Sequence, residues 1–160
     1  MEKKEHRSDC LFSCTTDLLG DKWSLLIIRD IMFYDKHTYN EFLLSAEKIS
    51  TNILAARLVA LENCGILKKE TLSAGKSRSK YSLTEKGIDL LPVMIEIFAW
   101  AAKYFPLSDE DTKRLKKIET SKKQVIKKLT EKLKKWRITR NFIWKCHSWY
   151  THTMLTSCRL

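Results

Sequence analysis

The stretch from Ser50 to Leu83 constrains the fold more than any other part of the chain. Ser50 is a helix-capping residue type, and Ile53, Leu54, Leu58 and Leu61 recur behind it at helical spacing, which predicts a capped helix with one inward stripe. Gly65 ends that helix, because glycine enters the left-handed region without a Cβ penalty, and Ile66 stands where a Schellman motif places its hydrophobic contact. Ile66 to Thr71 and Lys80 to Leu83 then read as strands around the polar loop Leu72 to Ser79, which holds Gly75. The result is a β-hairpin with a basic tip.

Helices flank this unit. Asp21 caps a helix through Trp23, Leu26, Ile27, Ile31 and Met32, whose apolar residues surround it on nearly all sides. Such a helix is buried, with Trp23 in the core and Lys22 near a helix end. Thr38 and Glu41 form a capping box for a short helix carrying Phe42, Leu43 and Leu44. After the hairpin, Ser82 with Glu85, or Thr84 alone, caps a long helix. Its residues Leu90, Met94, Ile97, Ala101 and Tyr104 make a packing seam at alternating four- and three-residue steps. Pro92 supplies no N–H to the carbonyl of Ile88, so a kink is expected there. Ser108 and the acidic run Asp109, Glu110 and Asp111 open a final helix with the stripe Leu115, Ile118, Val125, Ile126, Leu129, Leu133 and Trp136. Residues 138–160 show no comparable periodicity.

Charge is unevenly spread. The chain of 160 residues carries +11, yet residues 1–112 sum to −2, residues 113–137 to +10 and residues 138–160 to +3. A nucleic-acid reading of the N-terminal part therefore rests on a local patch. Residues 50–81 supply one, with Arg57, Lys68, Lys69, Lys76, Arg78 and Lys80 against Glu62 and Glu70, a sum of +4.

Several function classes find no support. The longest apolar run, Trp23 to Ile28, stops at Arg29, far short of the roughly 20 residues that span a bilayer. The polar start MEKKEHRSD is unlike a secretory signal, and five irregularly spaced cysteines suit a reducing cytoplasm better than a disulfide scaffold. There is no Gly-rich phosphate loop, no nucleophile elbow and no carboxylate pair of recognisable spacing, so a non-catalytic module without cofactor is expected. Cys146, His147, His152 and Cys158 lack the CxxC or HExxH spacing of a zinc site.

Cys10 is followed ten residues on by Gly20-Asp21-Lys22-Trp23 and then by Leu25-Leu26-Ile27-Ile28-Arg29-Asp30. Ile49-Ser50-Thr51-Asn52-Ile53-Leu54, Arg57-Leu58, Leu61-Glu62, Gly65-Ile66, Tyr81-Ser82-Leu83-Thr84-Glu85-Lys86-Gly87 and Leu91-Pro92 come later in the chain. Over about residues 8 to 105 this pattern resembles the HxlR-type family of bacterial winged-helix transcription regulators. Two positions depart from it: Leu11 stands where proline commonly follows the cysteine, and Tyr34-Asp35-Lys36 replaces a Gly-rich turn. The resemblance implies a mainly α protein with a small β-hairpin wing, a winged helix-turn-helix with long C-terminal helices. The expected divisions are a DNA-binding and dimerisation domain at 1–107, a basic amphipathic helix at 108–137, and an atypical, disordered or artefactual tail at 138–160.

Function follows as a set of expectations. A homodimer would place the recognition helix, with Ser50, Thr51, Asn52, Ala55, Ala56 and Arg57, in the major groove of double-stranded operator DNA. Asn52 could pair bidentately with adenine, and the alanines permit close approach. In the wing, Lys76, Ser77, Arg78 and Lys80 would meet the flanking backbone or minor groove, the basic residues alternating along one strand face. Leu90, Met94, Ile97, Ala101 and Tyr104 would form the subunit interface. Cys10 matches a position where some relatives sense electrophiles or oxidants; His6 and Arg7 beside it favour the reactive form of the thiol, and Asp9 opposes. A small buried hydrophobe is the plainer role for that residue. The 113–137 helix reads first as an amphipathic helix with its lysines in water, second as a DNA-backbone contact and third as a membrane-surface helix. Lys122 and Lys132 interrupt the apolar face and count against the third reading. A winged-helix adaptor using this helix on acidic partners is the alternative from another class.

Overall fold

The computed structural model describes the backbone of residues 9–72 and 78–153, and the side chains of 9–71 and 79–135. Two compact units divide the chain, Met1–Met94 and Ile95–Leu160. In the first, α1 (Leu11–Leu19), α2 (Lys22–Tyr34), α3 (Tyr39–Leu43) and α4 (Thr51–Asn63) precede β1 (Leu67–Leu72) and β2 (Arg78–Leu83), and α5 (Glu85–Ile88) follows. The helix α6 (Leu91–Ala101) leads into the second unit, which holds α7 (Asp109–Thr153). This is a mainly helical chain with an antiparallel two-stranded wing. No helix among the described residues is long and apolar enough to cross a membrane.

Capping chemistry fixes the helix starts. The Asp21 carboxylate accepts from the N–H groups of Trp23 at 2.9 Å and Ser24 at 3.0 Å, satisfying two donors that α2 would otherwise leave unpaired. At α3 the capping box forms on both sides: Thr38 Oγ1 accepts from Glu41 N, and the Glu41 carboxylate accepts from Thr38 N at 2.8 Å and His37 N at 2.7 Å. Partial burial pushes the Glu41 carboxyl up, but the His37 and Thr38 donors outweigh it and hold the group below the usual range. Ser50 occupies the N-cap of α4 without a side-chain capping bond.

The end of α4 is a Schellman motif. Gly65 has φ +69°, its N–H donates to the Glu62 carbonyl and that of Ile66 donates to the Leu61 carbonyl, both at 2.9 Å. Ile66 and Leu61 are both buried, as the accompanying contact requires. The turn after α2 solves the same problem differently. Asp35 takes the left-handed position with φ 56°, a conformation that aspartate tolerates better than most residues, so no glycine is needed.

Ile27, Ile28, Ile31 and Met32 of α2, Phe42 of α3, Leu54, Leu58 and Leu61 of α4, and Leu67, Tyr81 and Leu83 of the wing are buried. Asp30 is buried among them at 2 % exposure. Its carboxylate accepts from Arg29 Nε at 3.0 Å, from Lys36 Nζ at 3.1 Å and from the Ser45 hydroxyl. Arg29 also donates to Glu47 at 3.1 Å. Burial works against the Arg29 charge, but the bonds to Glu47 and Asp30 outweigh it and raise the pKa; Arg29 in turn draws the Glu47 carboxyl down. A charge this deep in a core survives only with partners of this kind.

Four sequence expectations change. Trp23 is half-buried, with Lys22 Nζ 4.9 Å from its ring centroid, rather than enclosed in the core. Ile53 is 39 % exposed and lies off the inward stripe of α4. The long helix after the hairpin breaks at Asp89 and Leu90 instead of kinking, which leaves Pro92 in the first turn of α6, where its missing N–H costs nothing. The wing also gains a third short partner: Thr38 bridges to Lys80, Tyr81 N donates to the His37 carbonyl at 2.7 Å, and His37 Nδ1 lies 3.0 Å from the Tyr81 carbonyl oxygen.

Within the second unit, Glu96 pairs with Lys122 and Arg114 with Glu110. The helix α7 contains one non-helical residue, Ser121, with φ −150° and ψ 45°. Its backbone continues through 138–153, the stretch in which the sequence offers no periodicity.

Candidate nucleic-acid interface

The helix-turn-helix consists of α3, the turn 44–50 and α4. Leu54 and Leu58 turn inward from α4 at 0 % and 2 % exposure, which sends Thr51, Asn52, Ala55 and Ala56 into solvent. These four form one outward surface on the first two turns, polar at its leading edge and small behind it. A donor-and-acceptor amide flanked by methyl-sized residues can reach base edges in a major groove without steric obstruction.

Two ties hold this surface in place. The Tyr39 hydroxyl donates to the Thr51 carbonyl at 2.8 Å, fixing the first turn of α4 to α3. Arg57 reaches back to Asp21 at 3.3 Å, so the carboxylate that caps α2 also holds the middle of α4. Arg57 is half-buried and engaged in this way, whereas the sequence had grouped it with Thr51 and Asn52. Nothing in local spacing reveals a partner 36 positions away.

In the wing, Leu67 pairs with Leu83, Lys69 with Tyr81, Glu70 with Lys80 and Leu72 with Arg78. Arg78 and Lys80 stand two residues apart on β2 and so belong to the same strand face. Lys80 is half-buried; Arg78 is described by its backbone alone. Lys76 and Ser77, with Gly75, lie outside the described residues. The acidic Glu70 stands opposite Lys80 and pairs with Lys68 at 3.0 Å, offsetting part of the positive charge. The base of the wing is fastened by Thr84, whose hydroxyl donates to the Gly65 carbonyl at 2.6 Å and accepts from Gly87 N at 3.1 Å. A Cβ at Gly87 would come within 2.4 Å of the Ile66 carbonyl oxygen, so only glycine permits this approach.

Of the expected subunit seam, Ile97 is 43 % and Tyr104 68 % exposed, Leu90 and Ala101 are half-buried, and Met94 is turned inward at 8 %. Val93 and Trp100, which the sequence reading missed, are 48 % and 58 % exposed. Val93, Ile97, Trp100 and Tyr104 thus carry the same four-three-four spacing one register over. The Trp100 ring packs against Tyr104 at 5.3 Å and Phe105 at 6.4 Å between centroids. On α1, Leu11 and Phe12 are more than four-fifths exposed.

Cys10 is exposed at the N-cap of α1, and its carbonyl accepts from Cys14 N at 3.0 Å, one helical turn on; the buried-hydrophobe role does not fit. His6 and Arg7 lie outside the described residues, as do Cys158 and the side chains of Cys146, His147 and His152.

The family model for HxlR-like helix-turn-helix proteins matches residues 18–109. An uncharacterized HTH-type transcriptional regulator, YdeP of Bacillus subtilis, is 30 % identical over 114 residues, covering 71 % of this chain and 83 % of YdeP. The solved structure of the reduced form of the transcriptional regulator YodB from B. subtilis superposes with a TM-score of 0.52 at 33 % identity, covering 64 % of this chain and all of YodB. The redox regulator HypR in its oxidized form gives a TM-score of 0.55 at 28 % identity, covering 61 % of this chain and 100 % of HypR.

Proposed function

Because the chain belongs to the HxlR-like helix-turn-helix family, we propose that it is a homodimeric regulator that reads operator DNA through α4 and acts by binding rather than catalysis. The observation that carries this is the outward surface of Thr51, Asn52, Ala55 and Ala56, standing on buried Leu54 and Leu58 and tied down by Tyr39. In this reading Asn52 contacts a base edge, Thr51 a base or phosphate, and the alanines pack near a thymine methyl. Ser50 at the N-cap meets phosphate, while Arg57 holds α4 at the correct angle through Asp21. Lys76, Ser77, Arg78 and Lys80 of the wing follow the flanking backbone or minor groove.

One recognition helix covers too few base pairs for useful specificity, and a twofold dimer with helices about 34 Å apart doubles the site. Ile97, Trp100 and Tyr104 are exposed apolar residues available for it, and so, separately, are Leu11 and Phe12 of α1. Of the other residues assigned to the interface, Leu90 and Ala101 are half-buried and Met94 is buried. Cys10, accessible at the N-cap of α1, is the candidate contact for a small electrophile or oxidant; the relative HypR, a redox regulator solved in oxidized and reduced forms, supports this. Selecting genomic fragments bound by the purified protein, with and without diamide, tests the whole reading. No enrichment of any sequence over random duplex would refute it.

A further inference from the structure

We propose that the lysine face of α7 is a second, sequence-independent DNA contact that clamps phosphates outside the base-read site. It rests on the DNA-binding reading above. Every residue assigned there lies within residues 1–112, which sum to −2, so the attraction of that part for a polyanion is confined to the local patch of +4 at residues 50–81. Residues 113–137 carry +10.

The charge is displayed, not spent internally. Lys113, Lys116, Lys117, Lys123, Lys127, Lys128 and Lys134 are all exposed, and none has an acidic partner among the described residues. The ion pairs of α7 use other residues, Arg114 with Glu110 and Asp111, and Lys122 with Glu96. At about 100° per residue, Lys123, Lys127 and Lys134 fall within about 40° of one another around the helix. Val125, Ile126 and Leu129 on the other side are half-buried and Leu133 is buried. From Lys123 to Lys134 the helix rises about 16 Å, the axial span of roughly five phosphates along one strand.

A membrane surface would require an apolar face free to insert, and here the apolar side is the covered one. Duplex DNA needs only an evenly charged rod, which the lysine face matches.

Neutralising five of these lysines together, Lys116, Lys117, Lys123, Lys127 and Lys128 to Gln, retains helix propensity while removing charge. Binding of the full-length protein to random-sequence duplex and to a selected genomic fragment is measured as a function of salt. The expected result is a salt slope shallower by about 2 to 4 on both duplexes and an affinity at least about tenfold lower at physiological salt, with their ratio unchanged. The corresponding five-fold Lys→Arg variant should keep the slope of the parent. An unchanged slope in the Gln variant overturns the proposal, as does a loss confined to the selected fragment. Unchanged DNA binding with lost binding to polyglutamate also overturns it and assigns the face to acidic proteins. If the parent prefers no fragment over random duplex, the base-reading role of α4 falls, while the slope difference on random duplex still decides the role of α7.

Discussion

The Tyr39 hydroxyl donates a 2.8 Å hydrogen bond to the backbone carbonyl of Thr51, joining the first residue of α3 to the first residue of α4. A short helix of five residues thereby sets the position of the side chains that precede and follow Thr51. Tyr39→Phe should cost about 1 kcal/mol of stability, the net worth of one such bond, and loosen the first turn of α4. Chemical denaturation measures the first effect. Faster amide exchange at Leu54 and Ala55 measures the second, and unchanged exchange there would separate Tyr39 from the positioning of α4.

Asp30→Ala should be the most damaging single truncation of a polar residue in the first unit. It removes the acceptor to which Lys36 and the Ser45 hydroxyl both donate, leaving only the 2.6 Å bond from Lys36 to Ser45, and removes one of the two carboxylates held by Arg29. The cost should be about 2 to 3 kcal/mol, below that of a fully buried charge because Arg29 and Lys36 retain access to water. A loss under 1 kcal/mol in urea denaturation would mean that solvent replaces these bonds readily.

How much of this was legible beforehand follows the range of each interaction. The Asp21 cap, the Thr38 and Glu41 capping box and the Schellman turn at Gly65 involve residues within five positions of each other, and all can be read from the sequence. The burial of Asp30 cannot, because Ser45 lies 15 positions away. Nor could the third wing partner at His37, whose bond partner Tyr81 is 44 positions on. The exposed face of α6 was hidden for another reason. Leu91, Val93, Met94, Ile95, Ile97, Phe98 and Trp100 make the helix apolar on almost every side, so the pattern alone does not say which side is exposed.

Asn52→Ala should weaken operator binding by about 1 to 3 kcal/mol, with the loss concentrated at one base pair. Asn52 is exposed and its side chain has no hydrogen bond among the described residues, so the fold should be unaffected. Neutralising Lys76 and Arg78 should instead weaken binding to every sequence and flatten the salt dependence. Competition with a set of single-base operator variants separates the two behaviours. A uniform loss across all positions for Asn52→Ala would sink its base-reading role.

Ile97→Glu should convert the proposed dimer to monomers and abolish operator binding. At 43 % exposure the new carboxylate reaches water in the separate subunit, so the chain should still fold, whereas Met94→Glu, at 8 %, should unfold it. Sedimentation together with thermal melting distinguishes the cases. A folded Ile97→Glu protein that remains dimeric would place the interface elsewhere.

Cys10 offers the test of regulation. It is exposed, and Cys14 stands one turn further along α1, half-buried. Cys10 is exposed on extended backbone at the N-cap, whereas Cys14 lies within α1 and is half-buried, so a reagent meets Cys10 first. An adduct, or a bond to the second subunit, is the expected product. With a quinone, the Cys10 sulfur adds to the ring and its proton ends on the reduced oxygen; with diamide, two thiols of separate subunits are oxidised to a disulfide and diamide is reduced to its hydrazine. Either change places new bulk or a crosslink beside Leu11 and Phe12, the exposed apolar pair on α1, and so acts on the surface assigned to assembly. Operator affinity of the parent should therefore change on treatment, the Cys14→Ser variant should respond like the parent, and Cys10→Ser should not respond. Mass spectrometry of the treated protein locates the modification. If Cys10→Ser responds as fully as the parent, the sensor is another residue.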